Sequence, residues 1–177
     1  MRIEGGRCDA ALWVPSPNFD ERPEGAAVEL LVIHNISLPP GEFGGPWIDA
    51  LFQNRLDPDA HPYFKDIAAL EVSAHFLVRR DGVLTQYVNT DARAWHAGVS
   101  TWRGRERCND FSIGVELEGA DDVPFSEHQY ATLAGLTRAL IVRYGKLDFA
   151  GHSDVAPDRK TDPGPWFDWA RFEAAVT

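Results

Sequence analysis

The sequence predicts an α/β fold of α+β-like character, a single domain over residues 1–177 with its core between about Val14 and Phe172, built as a central mixed β-sheet flanked by helices. Three observations carry this prediction. Glu29 to His34 (ELLVIH) is a short, β-branched, nearly continuous apolar run, the pattern of a buried strand. Val72 to Arg79 and Val83 to Val88 flank Asp81-Gly82, the signature of a hairpin with a tight turn. Tyr130, Leu133, Leu136, Leu140 and Ile141 keep a helical period behind Ser126 and Gln129, which are spaced as a capping box, and Gly145 supplies the stop. Strands first, a long helix among them and mixed connections lead to a sheet covered by helices.

The other elements follow in chain order. Leu38 to Pro46 (LPPGEFGGP) is too rich in proline and glycine for anything but a loop, Trp47 to Gln53 reads as a short helix, and Asn54 to Asp66 as more loop. Ser112 to Glu118 (SIGVELE) alternates: Ile113, Val115 and Leu117 share one face, Ser112, Gly114, Glu116 and Glu118 the other. Phe149 to Pro165 lacks periodicity and reads as loop, and a last helix is expected from about Phe167 to Ala175. No internal repeat or low-complexity stretch interrupts the chain.

At 177 residues a core can stand without disulfides. The two cysteines, Cys8 and Cys108, are too few for a disulfide scaffold and read as reduced thiols. No apolar run reaches the length of a membrane span, and Met1 to Ala10 carries Glu4, Asp9 and two glycines in place of a hydrophobic export segment, so a cytoplasmic location is expected. A formal net charge of -10 opposes binding to nucleic acid or to an anionic membrane. The local exception is Arg103, Arg105 and Arg107, a cluster that on composition alone is more often solvated surface than a binding site. No obligate protein partner is implied.

His34, His152 and Asp162 are candidates for chemistry. A hydrolytic zinc site commonly uses three nitrogen or oxygen ligands and keeps a fourth position open. His34 closes a strand while His152 and Asp162 bracket a loop, and a strand end and a loop rim can face one another across a cleft. Spacing alone leaves bland alternatives open: a buried histidine satisfied by a carbonyl for His34, a surface loop residue for His152, and a turn residue before Pro163-Gly164 for Asp162.

Several blocks occur in a telling order. They are His34-Asn35-Ile36-Ser37, the hairpin Ser73 to Gly82 (SAHFLVRRDG), Ala94-Trp95-His96-Ala97-Gly98, Ser112-Ile113-Gly114-Val115-Glu116, and Gly151-His152 with Arg159 to Pro165 (RKTDPGP). Together, over about Val14 to Phe172, they resemble the N-acetylmuramoyl-L-alanine amidase type 2 family, and within it the members that recycle soluble muropeptides. The resemblance implies a Zn2+ ion bound by His34, His152 and Asp162, with Glu116 as general base and Lys160 stabilising the developing oxyanion. It implies a small-molecule muropeptide substrate, cut at the amide between the lactyl group of 1,6-anhydro-N-acetylmuramic acid and L-alanine. Competing readings are a lytic amidase on polymeric murein and a peptidoglycan-binding module without catalysis.

The residues fit these roles. Glu116 points away from the apolar side of its strand, and Lys160, two residues before Asp162, would project to the same side on an extended segment. Glu118 remains an equally placed rival to Glu116, and Lys160 an ordinary surface charge by default. Trp95 is a candidate to stack on substrate, Arg107 to pair with a stem-peptide carboxylate, and Asn35 to hydrogen-bond the peptide. His75 and Tyr63 also match the family but are read as structural. Two departures stand out: Glu71 lies where a basic residue is expected, and the segment before Gly151 is short.

Overall fold

The computed structural model describes residues 1–177. Four short strands open the chain: β1 (Ile3–Glu4), β2 (Arg7–Cys8), β3 (Leu12–Trp13) and β4 (Phe19–Glu21). The long strand β5 (Leu30–Ile36) follows, then helices α1 (Trp47–Phe52) and α2 (Phe64–Ile67) and the hairpin of β6 (Phe76–Val78) and β7 (Leu84–Gln86). Short strands β8 (Ala92–Ala94), β9 (Thr101–Trp102) and β10 (Arg105–Glu106) lead into the second long strand, β11 (Ser112–Glu118). Helix α3 (Glu127–Tyr144), strand β12 (Asp148–Gly151) and helices α4 (His152–Val155) and α5 (Trp169–Val176) complete the chain.

The central sheet has six strands in the order β12-β5-β11-β6-β7-β3. Strands β12, β5, β11 and β6 run parallel, and β7 is antiparallel to β6, so the sheet is mixed as expected. Strands β5 and β11 at its centre pair in a register that sets His34 beside Glu116. Strand β12 pairs with β5 up to Gly151 opposite Ile33, so the chain leaves β12 at the level of His34.

Both faces of β5 and β11 are covered, as for most parallel strands. Leu31, Ile33, Ile113, Val115 and Leu117 form the largest core with Leu133, Leu136 and Leu140 of α3 and Phe172 of α5. Full burial of each such side chain contributes about 1.5–3 kcal/mol, which makes this face the main source of stability. The alternation in Ser112 to Glu118 therefore does not separate core from solvent. It separates the α3-covered core from a second buried face, where Leu30 and Val32 pack with Ala97, Cys108, Phe111 and Ala150.

Helix α3 begins and ends where its residues dictate. Ser126 Oγ accepts from the Gln129 amide at 3.1 Å, Gln129 Oε1 accepts from the Ser126 amide at 3.0 Å, and Gly145 takes φ 86° beyond the last turn. Asp168 caps α5 by accepting from the Arg171 amide at 2.9 Å.

Three expectations are corrected. The strand expected from Val72 is regular only over Phe76–Val78, because the Ser73 amide bonds to the Trp95 carbonyl and the Val72 carbonyl to Asn18 Nδ2, tying this stretch to loops. Asn54 to Asp66 is not loop throughout, since α2 begins at Phe64. The stretch from Phe149 contains most of β12 and all of α4; Asp148–Gly151 (DFAG) has little strand propensity and is held by pairing with β5, and Asp154 Oδ2 caps α4 by accepting from the Gly151 amide at 2.7 Å. Packing also reaches ahead of Val14, since Ile3 and Cys8 are buried in the main core. The arginine cluster is paired off: Arg103 with Asp148, Arg105 with Glu29 and Arg107 with Asp110. No helix is long and apolar enough to cross a membrane.

Candidate metal centre

The C-terminal ends of the parallel strands bring His34, Glu116 and His152 side by side, the edge at which open α/β sheets bind ligands. Asp162 reaches them from the loop after α4. That loop is fixed by the Ser153 amide donating to the Asp162 carbonyl at 2.9 Å and by Pro163, which lies where a Cβ on Gly151 would meet it at 2.8 Å. Only glycine before His152 lets the two segments approach this closely.

His34 Nδ1, His152 Nδ1 and Asp162 Oδ2 form a triangle with sides of 2.9, 3.1 and 3.1 Å. His34 and His152 are buried, and Asp162 is 15% exposed. The Nε2 of His152 faces the Ala97 carbonyl at 3.2 Å, an acceptor only, so that nitrogen carries the proton and Nδ1 presents a lone pair. Hydrogen bonds cannot satisfy three acceptors pointed at one another. Two donors bonded to a divalent ion at ~2.0–2.1 Å with tetrahedral angles lie about 3.3 Å apart, so the triangle suits a small divalent cation.

The charges are set for the same purpose. Burial pushes the His34 imidazole down to about 4, so it is a neutral ligand at neutral pH.

Glu116 and Glu118 share a strand face but not a role. Glu118 is saturated: Oε1 accepts from the Gly44 amide at 2.7 Å and from Arg79 at 3.1 Å, and Oε2 from the Arg80 amide at 3.2 Å. It anchors the Leu38 to Pro46 loop to the sheet. Glu116 Oε2 is buried with no partner, and burial, then the nearby Asp162 carboxylate, push its carboxyl well above the ordinary range while Lys160 opposes. A buried carboxyl left without donors costs stability, and active sites are where such groups are commonly kept.

His34, Glu116, His152 and Asp162 line a cleft of about 590 Å3 that also includes Asn35, Trp95, Lys160 and Tyr63. Both amide hydrogens of Asn35 are engaged, by Asp121 at 2.7 Å and the Pro163 carbonyl at 3.0 Å, which leaves its oxygen to accept. Trp95 is oriented by Nε1 donating to Asp20 at 3.2 Å. Arg107 is not part of the cleft lining; it is exposed beside Asp110. His75 is fully buried, as its structural reading requires, whereas Tyr63 is 42% exposed on the cleft wall. Sequence reasoning passed over His96, whose Nδ1 lies 3.0 Å from His34 Nε2; its position inside the Ala94 to Gly98 block was the only signal for it.

A family model described as N-acetylmuramoyl-L-alanine amidase matches residues 24–165. The chain is 61% identical over 179 aligned residues to 1,6-anhydro-N-acetylmuramyl-L-alanine amidase AmpD of Citrobacter freundii, spanning 100% of this chain and 96% of that one. It is similar in structure to a crystal structure of a Se-Met AmpD derivative, with TM-score 0.98, 61% identity and 100% of both chains covered. A more distant likeness, with TM-score 0.63 and 31% identity over 88% of this chain and 60% of the other, is to N-acetylmuramyl-L-alanine amidase AmiD of E. coli in complex with anhydro-N-acetylmuramic acid-L-Ala-D-gamma-Glu-L-Lys.

The two glutamates should separate in a stability measurement. Glu118→Gln removes a charge that three donors surround and is expected to cost about 3–5 kcal/mol in urea unfolding, whereas Glu116→Gln should leave stability unchanged or higher. Equal losses in both variants would contradict the contrast drawn between them.

Acid should also destabilise the chelator-treated protein. Burial holds His34, His75 and His96 below the 6.5 of a free imidazole, so as pH falls from 6.5 the unfolded chain takes up three protons that the folded chain refuses, and stability drops. Glu116, whose folded value is raised above 4.5, runs the other way with one proton. The net expectation is a lower urea midpoint at pH 5 than at pH 7.5; a flat profile would contradict it.

Proposed function

The chain belongs to the N-acetylmuramoyl-L-alanine amidase family, and on that premise we propose that it hydrolyses the amide between the lactyl group of 1,6-anhydro-N-acetylmuramic acid and L-alanine in soluble muropeptides, using one zinc ion held by His34, His152 and Asp162. The observation that carries this reading is the triangle of three acceptor atoms 2.9–3.1 Å apart, with an unpartnered buried carboxylate, Glu116, on the neighbouring strand. Two neutral imidazoles and one carboxylate are a donor set that zinc accepts.

Zinc in such a site supplies Lewis acidity toward the amide carbonyl and makes water a nucleophile near neutral pH. The remaining work falls to the chain. Glu116 takes the proton of the attacking water through the oxygen that has no other partner, and its raised proton affinity suits it to hand that proton to the leaving amine. Lys160 on the cleft wall places a cation where the carbonyl oxygen gains negative charge. The free oxygen of Asn35 accepts from a peptide N–H, and Trp95, held by its indole N–H, offers a ring face to the substrate. Arg107, outside the cleft, is left to parts of a stem peptide that extend beyond it.

The muropeptide is the only partner this reading needs. The acidic chain is poorly suited to adhere to an anionic wall, which favours a soluble substrate over polymeric murein. The proposed compartment is the cytoplasm, where the two unpaired buried cysteines are at home.

The test combines metal content with product analysis on anhydro-muropeptide. Asp162→Ala should lose zinc and activity together. Glu116→Gln should keep zinc and lose roughly 10²–10⁴-fold in kcat, and Lys160→Ala about 10²–10³-fold. Full-rate hydrolysis by the chelated protein would overturn the zinc reading, and equal turnover of intact sacculi would overturn the choice of substrate.

A further inference from the structure

The nitrogen of His34 that faces away from the triangle is the start of a chain of contacts with no assigned purpose. His34 Nε2 lies 3.0 Å from His96 Nδ1, His96 Nε2 lies 3.2 Å from Ser112 Oγ, and Ser112 Oγ lies 2.6 Å from the Cys108 carbonyl oxygen. Three of the four residues are buried, with His34 1%, Ser112 0% and Cys108 0% exposed; His96 is half-buried on the cleft wall, its ring edge-on to that of His34.

The far end of this chain fixes the near end. A carbonyl oxygen only accepts, so the Ser112 hydroxyl donates to Cys108. The Ser112 oxygen then accepts from His96 Nε2–H, which leaves His96 Nδ1 with a lone pair. That lone pair accepts from His34 Nε2–H, so His34 Nδ1 carries no proton and turns its own lone pair toward His152 and Asp162. The opposite arrangement would set Ser112 Oγ and the Cys108 oxygen 2.6 Å apart with no proton between them.

We infer that His96 is a positioning residue for the metal centre, a neutral imidazole that, backed by Ser112, locks His34 in the tautomer that ligates through Nδ1. Metal-ligating histidines commonly depend on such an outer partner. A second observation supports the assignment independently of the hydrogen bonds. Gly114, on the strand face between Ser112 and Glu116, leaves the space that the His96 ring fills: a Cβ there would lie 2.3 Å from His96 Cγ. Two backbone-to-side-chain bonds hold the segment from the other side, since the amides of His96 and Ala97 both donate to Asn109 Oδ1, at 3.2 and 2.9 Å. The strand is thus relieved of a side chain, and a loop pinned, at the one place that brings this imidazole against His34.

The inference rests on the zinc reading, and the experiment separates the two. Zinc dissociation constants are measured by competition with a chromophoric chelator for the wild-type protein, His96→Leu, His96→Asn and Ser112→Ala, together with the urea midpoint of each protein under chelation. His96→Leu fills the space without an acceptor and should weaken zinc binding by about 10–100-fold. His96→Asn keeps an acceptor oxygen near the position of Nδ1 and should stay within roughly threefold of wild type, the rescue that a merely space-filling role would not show. Ser112→Ala removes the anchor without touching either imidazole and should weaken zinc by several-fold, which keeps the inference testable if His96→Leu does not fold. Wild-type affinity in both His96→Leu and Ser112→Ala, or equal loss in the Leu and Asn variants, overturns the role of His96. A wild-type protein that binds no zinc overturns the underlying reading instead.

Discussion

Three lone pairs aimed at one point are the constraint around which this molecule is organised. His34 Nδ1, His152 Nδ1 and Asp162 Oδ2 stand 2.9–3.1 Å apart, within hydrogen-bonding distance but without protons to share. Left to itself, such a group would relax by rotating an imidazole or taking up a proton. Both routes are closed. His152 is held through Nε2 by the Ala97 carbonyl, His34 through Nε2 by His96, and burial discourages protonation of His34. The site is therefore preorganised for a cation by groups that never touch one.

Strand β11 shows how one sequence pattern serves several ends. Its alternate residues Ile113, Val115 and Leu117 enter the α3-covered core, while the opposite face carries Ser112, Gly114, Glu116 and Glu118. Ser112 anchors His96, Gly114 makes room for it, Glu116 stands unpartnered beside His34, and Glu118 ties down the loop that walls the cleft. A slip of one residue in register against β5 would turn this whole set into the α3 core, so the register that buries Ile113 and Val115 also aligns Glu116 with His34.

What could be read from the residues alone follows from this division. Strong local signals held: the Asp81-Gly82 hairpin and the capping box of α3 are set by contacts within a few residues of each other, and the apolar run at β5 shows its burial in its own composition although its partners are distant. Elements made by distant pairing did not show. β12 has the composition of a loop and becomes a strand only against β5, and the extended stretch at Val72 is diverted by Asn18 and Trp95. The convergence of His34, His152 and Asp162 could be anticipated because the blocks that carry them resemble a known family, whereas their spacing was uninformative. Glu116 and Glu118 were indistinguishable by alternation, since what separates them is Gly44, Arg79 and the Arg80 amide, which lie 74, 39 and 38 residues from Glu118. His96 stayed hidden for the same reason, because its partner His34 lies 62 residues earlier.

The site costs stability, and the fold locates that cost where it does least harm. A buried carboxyl without donors and three mutually facing acceptors are each unfavourable, and active sites commonly keep such features at the expense of the folded state. Here they sit on the sheet face opposite α3, while the face that packs on α3 and α5 consists of aliphatic and aromatic side chains without a competing polar group among Leu31, Ile33, Val115, Leu136 and Phe172. Small metal domains draw their folding energy from the ion itself. In this chain the main hydrophobic cluster does not include the triad, so an ion bound there would add to a fold whose core is formed without it, and the chemistry of the cleft is separable from the persistence of the sheet that carries it.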